Sequence, residues 1–99
     1  MKTGKEEYVQ RMKKDLKEWS ATIDEYEADA SRMQVVFQEE FARTIRDMKE
    51  KRDLLADSLR EVEGSIAEAW IGLRTGVKKA AQDLAQTFEH AREVMKKAA

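Results

Sequence analysis

An all-α fold of long amphipathic helices is predicted by three observations on these 99 residues. Proline is absent and glycine occurs four times, a seven-residue apolar repeat runs through the first half, and an eleven-residue repeat follows residue 63. Charged residues make up 39% and hydrophobic ones 41%, which is the composition of long helices rather than of an α/β domain. The arrangement expected is an antiparallel helical hairpin or coiled coil with a break near Gly64, oligomeric, in one domain spanning 1–99. A monomeric three-helix bundle is the alternative.

The first helix is expected over residues 5–62. Val9, Leu16, Ile23, Ala30 and Phe37 occupy one heptad position, while Met12, Trp19, Tyr26 and Met33 occupy the other. Spacings alternate between three and four without a slip, the seam of a left-handed coiled coil. From Phe37 the apolar residues step by fours through Phe41 to Ile45, and a heptad resumes at Met48, with Arg52 at one core position. No Gly or Pro lies between Gly4 and Gly64, so the shift reads as local unwinding of a supercoil, not as a chain break. Ser31 and Gln34 offer a cap pair for a second turn around 28–32, which the alternative bundle would use.

Past residue 63 the chain can be written EGSIAEAWIGL, RTGVKKAAQDL, AQTFEHAREVM. Ile66, Val77 and Phe88 then align, as do Leu73, Leu84 and Met95, and a second helix over 66–97 with an eleven-residue repeat is expected. Gly64 is the expected left-handed residue that ends the first helix, and Ser65 with Glu68 forms the S-x-x-E pattern of a capping box. Folding the chain back at this corner sets Trp70 near Leu59, Leu73 near Leu55, Leu84 near Ile45 and Phe88 near Phe41. Trp70 should wedge the diverging ends, and Gly72 with Gly76 should let the two backbones approach closely.

This hairpin leaves the heptads before residue 33 without cover. Isolated helices of that kind are marginal in water, so Leu16, Trp19, Ile23, Tyr26, Met33 and Phe37 are expected to form an interface with further copies of the chain, as a homodimer or tetramer.

Charge and motif content narrow the function. The formal net charge of -1 lacks the positive surplus of nucleic-acid binders, so no nucleic-acid partner is expected. There is no cysteine for a disulfide or a thiolate metal site. His90, with Thr87 three positions before it, does not make the Glu-x-x-His of a helical di-metal centre, and its expected place is a solvated polar face. Asp24, Glu25, Glu27 and Asp29 form an acidic run that a helix spreads around its circumference, and Glu39–Arg43, Asp47–Lys51 and Glu93–Lys97 have helix-supporting spacing. No phosphate loop, nucleophile elbow or catalytic triad pattern is present, so neither an enzyme, a cofactor nor a small-molecule substrate is expected.

The expected role is non-enzymatic self-association or scaffolding. An amphipathic lipid-surface function of the 64–99 segment is the alternative, with Lys78, Lys79, Arg92, Lys96 and Lys97 available to an anionic membrane surface. A cytoplasmic location is expected, because no apolar run of signal-peptide or membrane-spanning length occurs.

Trp19, which directly follows Glu18 where those proteins carry an E-x-W, and Glu68, Ala69, Trp70, Leu73, Gly76 and Val77 in the segment E-A-W-x-x-L-x-x-G-V, resemble small coiled-coil proteins of about this length found in many bacteria. That resemblance covers nearly the whole chain and implies an all-helical fold in a bacterial cytoplasm. It implies no catalytic residue.

Overall fold

The computed structural model describes residues 3–66 and 68–99. Three helices follow one another in the order α1 (Gly4–Ala30), α2 (Val35–Gly64) and α3 (Trp70–Ala98). The continuous helix expected over 5–62 is therefore two helices, separated by a turn at 31–34. The molecule measures 51 × 21 × 16 Å. A single 58-residue helix would be about 87 Å long at 1.5 Å per residue, whereas 30 residues need about 45 Å. The three helices thus lie side by side.

Local chemistry explains each boundary. Thr3 caps α1, its Oγ1 accepting from the Glu6 N–H at 3.1 Å, and Glu6 and Glu7 place negative charge in the first turn. At the other end, Ser31 does not cap a new helix as its pairing with Gln34 suggests. Its Oγ donates to the Ala28 carbonyl at 2.9 Å, and the Arg32 and Met33 N–H groups bond back to Asp29 and Ala30. Ser31 thereby closes the last turn of α1. Gln34 has extended backbone and stands before α2 without a side-chain cap, while the Gln38 amide returns to the Met33 carbonyl at 2.9 Å.

At the second corner the expected helix reversal occurs by different means. The Ser65 Oγ donates to the Val62 carbonyl at 2.6 Å, so this serine finishes α2 and does not begin α3. No side chain caps α3, whose first residue is Trp70, not Ile66. Glu68 contributes a backbone carbonyl, which accepts from the Ile71 N–H at 3.1 Å. Gly64 is the last residue of α2, its φ lies outside the left-handed region, and a Cβ there would meet nothing within 4 Å. The S-x-x-E box and the left-handed glycine are both replaced by closure on Val62. Ala67, part of the same stretch, lies outside the described residues.

The helix directions follow from side-chain pairs. Lys13 meets Glu63 at 2.7 Å and Lys49 pairs with Glu27, so α1 and α2 run antiparallel. Lys51 reaches Thr87 at 2.8 Å and His90 faces Glu40 at 3.7 Å, setting α3 antiparallel to α2. Tyr8 stacks against Trp70 with centroids 5.8 Å apart, and Tyr26 meets Phe88 edge-on at 6.0 Å. Both pairs are 62 positions apart in the chain, so α1 and α3 are parallel and in register.

Ile23, Phe41, Met48, Leu55, Val62, Val77, Leu84 and Val94 are fully enclosed and form one continuous core along the bundle axis. Each such side chain contributes about 1.5–3 kcal/mol by leaving water. Two threonines share this interior. Thr44 and Thr87 donate to the carbonyls four residues back, Glu40 and Asp83, and Thr87 also accepts from Lys51, which ties α3 to α2. Arg52, at a core heptad position, turns its guanidinium to the Asp53 carboxylate at 3.2 Å and keeps to the rim. The eleven-residue repeat survives in its second and third units, where Val77, Leu84, Phe88 and Ala91 face inward. Its first unit is split by the corner between α2 and α3, and Ile66 is 83% exposed.

Candidate functional site

The apolar seam of α1 is covered by α2 and α3 of the same chain. Ile23 is fully buried, and Leu16, Trp19, Tyr26 and Met33 pack half-buried against the core. Phe37, at the start of α2, is half-exposed. The turn at 31–34 folds α1 back, so the bundle interior receives most of the seam that the sequence left for a second copy, with Ile23 enclosed and the others half-buried.

The cover is uneven. Backbones approach closely between α2 and α3 and between α1 and α2, but seldom between α1 and α3. The α1–α3 pair meets through long side chains, with Tyr8–Trp70 at one end and Tyr26–Phe88 toward the other. Aromatic pairs with centroids near 6 Å hold helix axes apart, and midway between them α3 presents two alanines too small to fill the space. Ala81 and Ala85 stand opposite Trp19, and the result is an open groove of about 690 Å³. Its α1 wall is Tyr8, Met12, Asp15 and Trp19, and its α3 wall runs from Ile71 through Arg74, Thr75 and Lys78 to Ala85.

Electrostatics differ between the two walls. Arg74 lies over the Trp70 ring at 4.8 Å and Arg11 over the Tyr8 ring at 5.6 Å. Burial holds the Tyr8 phenol above its ordinary pKa of 10.0, against the opposing pull of Arg74 and Arg11. The α3 wall is cationic, and the α1 side carries Asp15 at the middle of the groove with Arg11 beside Tyr8 at its end.

The corner residues singled out in sequence serve α1 more than α2. Trp70 is half-buried against Tyr8, and a Cβ on Gly4 would stand 3.5 Å from its ring. Lys5 reaches across from α1, its Nζ donating to the Ser65 carbonyl at 2.7 Å and the Glu63 carbonyl at 3.3 Å, which satisfies the carboxyl end of α2. Gly72 and Gly76 do not mediate close packing, since a Cβ on either would meet nothing within 4 Å. Leu73 is half-buried against the core. Sequence reasoning missed Gly4, Lys5 and Tyr8, because their role depends on α1 returning to the corner.

Elsewhere the charged groups are dispersed. Glu27 pairs with Lys49 and Asp29 with Arg32, and of the expected helix-spaced pairs Asp47–Lys51 is formed at 3.1 Å. Among the described residues no three of His, Asp and Glu converge as a metal centre needs, and no helix is long and apolar enough to cross a membrane. Lys78, Lys79, Arg92, Lys96 and Lys97 are exposed on α3, whose apolar face is turned inward. Contact with a lipid surface through that face would require α3 to leave the bundle.

Residues 1–76 match a family model described as Protein kinase C delta/epsilon/eta/theta, C2 domain. A C2 domain is a β-sandwich, whose core residues alternate with a period of two. The matched span here holds α1, α2 and the start of α3, with buried positions at helical spacing, and no strand occurs among the described residues. The likeness is one of sequence, and neither that fold nor its chemistry carries over. No curated protein and no solved structure matches the chain.

Proposed function

We propose that the protein is a non-enzymatic self-association module, a small helical bundle that joins other copies of itself as a scaffold. The observation that carries this reading is surface. The chain exposes 6778 Å². A compact monomer of 11.5 kDa exposes about 5,800 Å² by the size scaling of folded proteins. The surplus, about 1,000 Å², is near the ~800 Å² that each partner contributes to an interface of standard size. The molecule is elongated, 51 × 21 × 16 Å, and carries the open groove beside Trp19 on its long side.

Light scattering across micromolar to millimolar concentration tests the reading. The mass should rise from that of one 11.5 kDa chain to twice that value. A mass that stays at one chain throughout overturns it.

A further inference from the structure

We propose that the α1–α3 groove is the self-association surface, and that two copies dock groove to groove about a two-fold axis parallel to the helices. This inference rests on the self-association reading and adds where and how the copies meet.

The two walls of the groove are complementary in shape. The α1 wall carries the large Met12 and Trp19, and the α3 wall carries the small Ala81 and Ala85. Because α1 and α3 are parallel with an offset of 62 positions, Trp19 stands level with Ala81, and Asp15 level with Val77 beside Lys78. A two-fold axis along the bundle lays α1 of each copy on α3 of the other at equal height. Each Trp19 then enters the gap left by the partner's Ala81 and Ala85. Large residues meet small ones twice, as an isologous interface requires.

Charge at the middle of the groove selects the same geometry. Among the described residues, seven salt bridges form within the chain, and neither Asp15, Arg74 nor Lys78 takes part in any of them. In the parallel arrangement each Asp15 faces the other copy's Lys78, which pairs opposite charges on both sides of the axis. An axis perpendicular to the helices through the middle of the groove would instead lay α3 on α3. The two Lys78 side chains would then oppose each other, and α1 would lie on α1 with Asp15 toward Asp15. Like charges set against each other at an interface disfavour that docking.

A small amphiphilic anion is the competing occupant, because about 690 Å³ lies within the range of ligand pockets and two cations line the α3 wall. Asp15 on the facing wall would repel such an anion, whereas a second copy brings its own Lys78 to that carboxylate.

The chain has no cysteine, so a single spin label at Arg32→Cys reports on one site per copy. Arg32 is exposed at the α1–α2 turn, at one end of a molecule 51 Å long. Parallel docking brings the two labels within about 30 Å, three helix-packing distances, whereas perpendicular docking sets them about 50 Å apart. Ala81→Arg should abolish the dimer while circular dichroism still reports a folded chain. Asp15→Lys and Lys78→Asp should each weaken association about tenfold, and mixing the two variants should restore it, since their walls are then complementary.

A dimer with labels near 50 Å, or one indifferent to Ala81→Arg, overturns this docking while leaving self-association standing. A chain that is monomeric throughout removes both. A saturable shift of Trp19 emission by decanoate in Trp70→Phe protein that stays monomeric would assign the groove to an amphiphile and overturn the proposal.

Discussion

The seam between α2 and α3 and the seam between α1 and α3 join helices of similar length in opposite ways. Along α2–α3, aliphatic residues interlock: Leu55, Leu59 and Val62 face the same core as Val77, Leu84 and Val94, and Lys51 closes the flank on Thr87. Along α1–α3, aromatic pairs near the ends set the spacing and alanines between them leave it unfilled. Close packing consumes a surface, and spacing by pillars preserves one. The second seam therefore leaves the open surface on which the proposed docking rests.

The largest contrast expected is in truncation. Leu84→Ala removes a fully buried side chain from the closed seam and should cost about 2–5 kcal/mol in chemical denaturation. Trp19→Ala removes a larger side chain from the open one and should cost under about 2 kcal/mol, measured at concentrations too low for association. Equal losses would mean that the groove is packed in solution.

Enlargement should separate the seams in the reverse sense. Ala91 is fully buried, and Ala91→Leu should destabilise the bundle by about 1–3 kcal/mol through overpacking. Ala81→Leu, which projects into the groove, should change stability by less than about 0.5 kcal/mol. A thermal melt of each variant checks the pair.

The corner where the closed seam begins supplies a smaller effect. Gly64 sits in a helical turn with open space where a Cβ would be, so Gly64→Ala should stabilise by up to about 1 kcal/mol. A left-handed residue at this position would reverse the sign.

The smallest effect lies at the end of the open seam. Tyr8 ionises less readily in the folded chain than in the unfolded one, because burial raises its pKa above 10.0 against the pull of Arg74 and Arg11. Its contribution is fully present below about pH 10 and is lost as pH rises through the higher folded value. Stability should therefore fall with alkaline pH more steeply in the wild type than in Tyr8→Phe. Identical slopes would show that the phenol is not sheltered against Trp70.

Much of this architecture is legible in the chain. The heptad from Val9 to Tyr26 marks the inward face of α1, and Val77, Leu84 and Phe88 mark that of α3, because burial repeats with the helical period. The turn at 31–34 is not legible in the same way. Ala30, Met33 and Phe37 continue the heptad straight through it without Gly or Pro, and the break is closed by Ser31, a residue equally suited to starting a helix. Tertiary packing decides between a longer helix and a turn when local signals are balanced. The groove depends on a parallel α1–α3 register, and that register exists only once both turns are known. Lys5 capping the end of α2 is hidden for the same reason: nothing near it in sequence announces residues 63 and 65.

The turn at 31–34 is the claim on which the core, the groove and the docking all rest, and one distance tests it. Glu27 and Lys49 are paired across α1 and α2. Spin labels at positions 27 and 49, in chains diluted with unlabelled protein, should give a separation within about 15 Å, as packed helices require. A distance near 33 Å, the span of 22 residues of continuous helix, would contradict the turn at 31–34 and return the chain to a long rod.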